Sequence, residues 1–404
     1  MQNGYCTRTV NFLESAHCPG SLAESAGSSF YRHMNSNRPN LLQVFSVILS
    51  LLLCGNLAEL SAAPRATRAT TRTTRHASRA IYGVPTFTDS SKDDDAAFDD
   101  PVVRKAAVEG LGRYNGSVVA IDPASGRILS VVNQKLAFSA GFIPCSTIKP
   151  VIAIAGLQEG VITADTMLRV APRKYLNLTE SLAHSNNAFF EELGRRMGFD
   201  TVSRYGRLMG LGELAGYQIP EEHPGAFPSE PPAYGGVARM SSFGEGIQMT
   251  PLQLGALATA MANGGTLYYL QYPRDPGAMQ NFEPRVKRTL NIASLLPEVR
   301  DGMLAAVLYG TARLSYISDD EQAFGKTGTC SDSASRLGWF VSYADQAHPK
   351  IVLVVLMRGH SSMVKGAMAA EIAGRIYRRL YDQNYFAGRH DAVGASAMRI
   401  GSAQ

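Results

Sequence analysis

Cysteine and histidine are scarce in this sequence, five and eight among 404 residues, and no group of them has the spacing of zinc ligands. The acidic run Asp93-Asp-Asp95 lacks the alternation of a calcium loop, so no metal and no cofactor are expected. Internal repeats are absent, which removes solenoids and propellers. Long apolar runs are nearly absent too. Residues 41–54 form the one candidate, and it is short and followed by the small residues of Leu60-Ser-Ala-Ala63. That pattern fits a signal-peptide core better than a full membrane span. Membrane association through residues 41–63 stays open as an uncleaved anchor. Export to the periplasm, or to the outer face of the cytoplasmic membrane, is expected either way. Aromatic residues are missing among the arginines of residues 64–79, so a stacking platform is excluded and nucleic acid is not an expected partner.

What is present has ordinary globular proportions, 45% hydrophobic and 18% charged. The net charge of +5 is concentrated in residues 64–79, which have no apolar face and read as a solvated linker. Residues 1–33 show no periodicity, whereas a start at Met34 would give a positive segment leading directly into the apolar core. The expected organisation is a leader over 1–63, an unfolded basic then acidic linker over 64–100, one large domain over 101–388, and a flexible tail over 389–404.

Gly116-Ser-Val-Val-Ala-Ile-Asp122 and Arg127-Ile-Leu-Ser-Val-Val-Asn133 flank a Pro-Ala-Ser-Gly turn and predict a β-hairpin. Apolar helices are predicted over 146–158, ending at Gly160, and over 186–197, ending at Gly198. Thr250-Pro-Leu-Gln253 carries the pattern of a capping box with proline in the first turn. Two strands are predicted late, over 337–343 and 351–357. A final helix places Met368, Ile372, Ile376 and Leu380 on one face. Strands at both ends and helices between predict an α/β (α+β) fold. Its antiparallel sheet joins N- and C-terminal segments, is flanked by helices and carries an inserted, mostly helical lobe.

Ser146-Thr-Ile-Lys149 is a weak signal alone, because Ser-x-x-Lys arises by chance about once in a chain of this size. On a helix, however, the spacing puts Lys149 one turn from Ser146 on the same face. Backbone amides at the helix start would favour negative charge developing there. A serine hydroxyl needs a base to become a nucleophile, and a lysine serves when burial and a second cation depress its pKa. Ser185-Asn-Asn187 and Lys326-Thr-Gly-Thr329 are commonplace singly. On a strand edge, the second supplies a lysine, two hydroxyls and a glycine that admits close backbone approach, a set suited to a carboxylate and an extended peptide.

Ser-x-x-Lys, Ser-x-Asn and Lys-Thr-Gly in this order are far more specific than their parts. The chain resembles the penicillin-binding proteins and serine β-lactamases over about residues 113 to 382. Three further stretches are similar to penicillin-binding transpeptidases in particular. They are Val118-Val-Ala-Ile-Asp-Pro-Ala-Ser-Gly-Arg-Ile-Leu129, Ile219-Pro-Glu-Glu-His-Pro-Gly-Ala-Phe-Pro228 and Phe243-Gly-Glu-Gly-Ile-Gln-Met-Thr-Pro-Leu-Gln-Leu254, the last accompanied by Ala262-Asn-Gly-Gly265. The resemblance implies a D,D-transpeptidase acting on peptidoglycan stem peptides, with β-lactams as covalent inhibitors. Ser146 would attack the penultimate D-Ala carbonyl, Lys149 would take its proton, and Ser185 with Lys326 would pass a proton to the leaving nitrogen. Asn187 would bind the donor's backbone amide. Thr327, Gly328 and Thr329 would hold the donor, the two threonines by its carboxylate. The backbone amides of Ser146 and Thr329 would form the oxyanion hole. Two departures accompany the likeness. The stretch from Asp122 to Ser146 is short for the family, and neither an N-terminal pedestal nor room for a glycosyltransferase is seen.

Cys6 and Cys18 precede Met34 and Cys54 ends the apolar run, which leaves Cys145 and Cys330 beside the motifs. In the implied fold the nucleophile and the Lys-Thr-Gly strand face each other, as in some carbapenem-hydrolysing β-lactamases with a bridge at these flanks. A disulfide is therefore expected, with two small buried thiols as the alternative. His184 reads as a helix-edge polar residue, and Glu221 and Glu222 as structural. Three other readings remain: a D,D-carboxypeptidase, which uses water as acceptor; a β-lactamase, which needs a deacylating base; and a non-enzymatic β-lactam-binding sensor.

Overall fold

A computed structural model describes residues 83–138, 141–344 and 350–386. The suggested start at Met34, the apolar run, the basic linker and the tail lie outside them, as do Cys6, Cys18 and Cys54. In chain order the elements are α1 (Pro101–Leu111), β1 (Gly116–Asp122), β2 (Arg127–Val132), α2 (Gln134–Phe138), a 3₁₀ turn (Cys145–Ile148) and α3 (Lys149–Gln158). The small hairpin β3 (Leu168–Ala171) and β4 (Lys174–Leu176) leads to α4 (Leu178–Ala183), α5 (Asn187–Leu208), α6 (Gly236–Phe243) and α7 (Pro251–Ala262). Then come β5 (Thr266–Tyr269), α8 (Pro276–Gln280), β6 (Arg285–Thr289) and α9 (Leu296–Leu308). The chain closes with β7 (Ala323–Ser331), β8 (Arg336–Ala344), β9 (Ile351–Gly359) and α10 (Gly366–Asp382).

The main sheet has the order β2-β1-β9-β8-β7, and every pairing in it is antiparallel. The N-terminal hairpin thus joins the three C-terminal strands, with Val119 opposite Val354 at the seam. Side chains alternate across a strand, and the core divides accordingly. Val118 and Ala120 pack with Ile372, Ile376 and Leu380 of α10, while Val119 and Ile121 pack with Leu252 and Leu257 of α7. Strands buried on both faces need apolar residues at every position, which is why β8 and β9 read as continuous hydrophobic runs. Each fully buried Ile or Leu on α10 stabilises the body by about 1.5–3 kcal/mol. Met368, expected on that same face, is only partly buried against it.

Three local expectations hold closely. Thr250 Oγ1 accepts from Gln253 N at 3.1 Å and Gln253 Oε1 accepts from Thr250 N at 2.9 Å, a complete capping box on α7. Asn186 caps α5 through Phe189 N. Gly198, with φ 77°, breaks the helical path where the first stretch was expected to end. A second helical stretch follows directly, because nothing after Gly198 opposes it.

Two expectations need correction. The acidic segment 89–100, expected to be unfolded, is packed on the hairpin. Asp94 accepts from Asn133 N at 2.9 Å and Gln134 N at 2.8 Å, and pairs with Arg104 at 2.9 Å. Asp99 accepts from Ser130 Oγ at 2.7 Å and Tyr272 Oη at 2.5 Å, and Asp100 caps α1 through Val102 N and Val103 N. Composition counted these carboxylates as solvated charge, whereas here they satisfy backbone amides that would otherwise be orphaned. The second correction concerns Ser146. It lies in the 3₁₀ turn, and the α-helix begins at Lys149, where proline fills the first turn.

Candidate active site

The inserted lobe leaves a cleft of 580 Å³ beside β7. Its lining includes Ser146, Ser185, Asn187, Thr327 and Thr329, so residues separated by more than 180 positions meet in one place. β7 is the edge strand of the sheet, with only β8 beside it. Its other edge is open toward the turn that carries Ser146. Gly328 makes the approach of these two segments close. A Cβ there would meet Pro144 O and Thr147 Cγ2 at 3.1 Å and Trp339 Cβ at 3.2 Å.

The nucleophile turn is held from several directions. Trp339 Nε1 donates to Ile143 O at 3.1 Å, and Thr147 Oγ1 donates to Pro144 O at 2.6 Å. Cys145 is disulfide-bonded to Cys330, with Cα atoms 5.7 Å apart. Cys145 has φ 52°, a left-handed conformation that is strained for a residue with a Cβ.

Ser185 lies past the end of α4 and is also left-handed, with φ 53°. Glycine or asparagine usually fills such a position, and strain of this kind tends to gather at functional sites. The reversal brings Ser185 between two buried lysines. Lys149 Nζ donates to Ser185 O at 2.6 Å and Asn187 Oδ1 at 2.7 Å, and lies 3.1 Å from Ser185 Oγ. Lys326 Nζ donates to the same Oγ at 2.8 Å and to Thr327 O at 2.9 Å. Both lysines are fully buried, and no carboxylate forms an ion pair with either among the described residues.

Burial therefore acts on both pKa values with little opposition. Burial and the neighbouring Lys326 push Lys149 well below the usual lysine range, against a smaller upward pull from Glu191. Burial alone pushes Lys326 down to about 7. A neutral Lys149 has two hydrogens, and the carbonyl and amide oxygens that can only accept would take both. Its lone pair is then left for a hydroxyl. Ser146 and Lys149 are not hydrogen-bonded to each other in this arrangement. Ser146 lines the cleft one short turn from the lysine.

The hydroxyls of the edge strand are tied as well. Thr327 Oγ1 lies 2.7 Å from Thr311 Oγ1, and Thr329 Oγ1 accepts from Gly366 N at 2.8 Å. Thr311 and four other lining residues, Phe243, Arg313, Leu314 and Lys365, were not singled out from sequence as site residues. Gly310 carried a faint signal for Thr311. Its Cβ would lie 2.2 Å from Ala183 O, so glycine is required where the chain passes under α4. Nothing marked Lys365.

The residues set aside as structural lie away from the cleft lining. His184 Nε2 is 3.4 Å from Glu180 Oε2 and its ring packs near Tyr309. Glu221 pairs with Arg274 at 2.7 Å. Glu222 is buried and accepts from Ala215 N and Gly216 N at 2.8 and 2.7 Å. Among the described residues there is no cluster of three or more potential metal ligands, and no helix is long and apolar enough to cross a membrane.

Relatives share this sequence pattern. Stage V sporulation protein D of Bacillus subtilis is 26% identical over 312 residues, covering 64% of this chain and 48% of that protein. Peptidoglycan D,D-transpeptidase MrdA of Haemophilus influenzae is 22% identical over 343 residues, covering 64% and 52%. Penicillin-binding protein H of Bacillus subtilis is 25% identical over 306 residues, covering 59% and 42%. The chain spans about half the length of these curated relatives. Residues 116–378 match the family described as penicillin binding protein transpeptidase domain. That stretch holds the main sheet, both buried lysines and every hydroxyl of the cleft, and the chain belongs to this family.

Proposed function

We propose that this protein is a serine D,D-transpeptidase that cross-links peptidoglycan stem peptides ending in D-Ala-D-Ala. One observation carries the reading: two buried lysines with depressed pKa values meet on one serine hydroxyl, in a cleft that also exposes Ser146. In acylation, Ser146 Oγ attacks the penultimate D-Ala carbonyl and its proton moves to the neutral Lys149. The backbone amides of Ser146 and Thr329 receive the negative charge developing on the carbonyl oxygen. The C–N bond breaks as Ser185 gives its proton to the leaving nitrogen, and the lysines beside it restore that proton. Asn187 orients the donor's backbone, and Thr327, Gly328 and Thr329 hold its end. An amine of a second stem peptide then attacks the ester, and Ser146 leaves with a proton returned from Lys149.

β-Lactams would acylate Ser146 in the same way and stay attached. A deacylating carboxylate is absent from the lining of the cleft among the described residues, which weighs against rapid β-lactam turnover. This chemistry places the substrate outside the cytoplasmic membrane, in keeping with the export expected from residues 41–63.

Time-resolved labelling with a fluorescent penicillin tests the proposal. A persistent adduct on the wild type and none on Ser146→Ala is the expected result. Folded wild-type protein that takes no label refutes it, and label lost within minutes points to a β-lactamase. Reaction with a stem-peptide donor, with and without an acceptor amine, separates cross-linking from carboxypeptidase action.

A further inference from the structure

Two cations on the cleft wall have no part in the chemistry above. Arg313 lies in the short 3₁₀ turn after α9, and Lys365 caps α10 without a side-chain bond. Both line the cleft and both are exposed. Among the described residues neither makes a side-chain hydrogen bond or an ion pair. No acid lines the cleft. With Lys149 and Lys326 behind them, four basic side chains converge on one concavity with no opposite charge in its wall. Such a concavity focuses positive potential and draws anions.

Their placement is more specific than their charge. Arg313 follows Thr311 by two residues, and Thr311 grips Thr327 through the 2.7 Å hydroxyl contact. Lys365 directly precedes Gly366, whose amide grips Thr329 at 2.8 Å. The two segments that fix the edge-strand hydroxyls are thus the two that carry the free cations, one on each side. Lys326 is occupied elsewhere, donating to Ser185 Oγ and Thr327 O. The full charge of a bound carboxylate therefore has to be met by other groups.

We propose that Arg313 and Lys365 are specificity-determining residues that bind the free C-terminal carboxylate of the donor peptide. They supply the charge that Thr327 and Thr329, as neutral hydroxyls, cannot. The inference rests on the transpeptidase reading for the identity of the peptide, and its test is independent of turnover.

The measurement is the affinity of Ser146→Ala protein for N-acyl-D-Ala-D-Ala as the free acid and as the C-terminal amide. The acid should bind at least about tenfold more tightly than the amide. Arg313→Ala with Lys365→Ala should bring that ratio close to one with unchanged thermal stability, since both side chains are exposed. Arg313→Lys with Lys365→Arg should keep most of it. The preference for the acid should also weaken with added salt in the parent protein and not in the alanine pair. A ratio that the alanine pair leaves unchanged overturns the proposal, as does an equal loss for acid and amide. Wild-type protein that takes no penicillin label yet keeps a rim-dependent preference for the acid would sink the acyl-transfer reading alone.

Discussion

Replacing both members of the Cys145–Cys330 bridge with alanine separates two contributions that the structure joins. The bridge closes a loop of 185 residues. By the chain-entropy argument, opening it relaxes the unfolded state by about 5 kcal/mol, a ceiling that native adjustments lower. For a folded body of about 300 residues, that corresponds to a Tm lower by about 8 °C. The effect on the site should be smaller. Without the bridge, Cys145 no longer has to hold its left-handed backbone, strain worth about 1–3 kcal/mol. The turn keeps its hydrogen bonds from Trp339 Nε1 and Thr147 Oγ1, each worth about 1 kcal/mol. These terms nearly cancel, so the turn should loosen without leaving its place. Penicillin acylation of Cys145→Ala/Cys330→Ala should slow by about tenfold, equivalent to about 1.4 kcal/mol. Scanning calorimetry and stopped-flow acylation on the same preparation provide both numbers. A Tm within 2 °C of wild type together with an unchanged acylation rate, about a quarter of the shift expected from chain entropy, would refute the reasoning.

Lys149→Met should slow acylation by about 10²–10⁴-fold, and wild-type acylation should persist below the usual lysine range because Lys149 is neutral there; a profile that falls only near pH 10 contradicts this. Lys326 titrates at about 7 when folded and near 10.5 when unfolded. The unfolded chain therefore binds more protons between those values, and wild-type stability gains from rising pH across that window. Lys326→Met should accordingly be more heat-stable than wild type near pH 6, by a margin that shrinks toward pH 10 in calorimetry, while losing acylation. A margin independent of pH would count against it. Gly328→Ala should slow acylation about tenfold by pushing β7 from the nucleophile turn, read by penicillin labelling. Asp94→Ala should cost about 2–4 kcal/mol in denaturant unfolding and leave the labelling rate nearly unchanged.

The parts of the site that sequence reveals are those with a local pattern. Ser146 and Lys149 announce each other by spacing, and Lys326 to Thr329 do so by composition. The sheet was legible because β8 and β9 are apolar throughout and the hairpin has a turn signal. What stayed hidden depends on distant partners. Asp94 and Asp99 look like solvated charge until the hairpin end and Tyr272 are placed beside them. Arg313 and Lys365 look like ordinary surface cations, since nothing near them in sequence marks the cleft. The left-handed backbone of Ser185 has no composition signal either, because the residue type argues against it.

The sheet order also carries a kinetic consequence. β1 pairs with β9, about 230 residues further along the chain. At about 5–20 residues per second of synthesis, the hairpin waits on the order of ten seconds or more for that partner to be made. Over this interval one edge of β1 is open, and apolar side chains on both faces of the hairpin have nothing to cover them. Cys145 waits likewise, because Cys330 lies on β7, among the last strands to be made. Closing the sheet is therefore a late, long-range step, and slow folding with early exposure of a sticky hairpin is built into the same topology that places β7 at the edge beside Ser146.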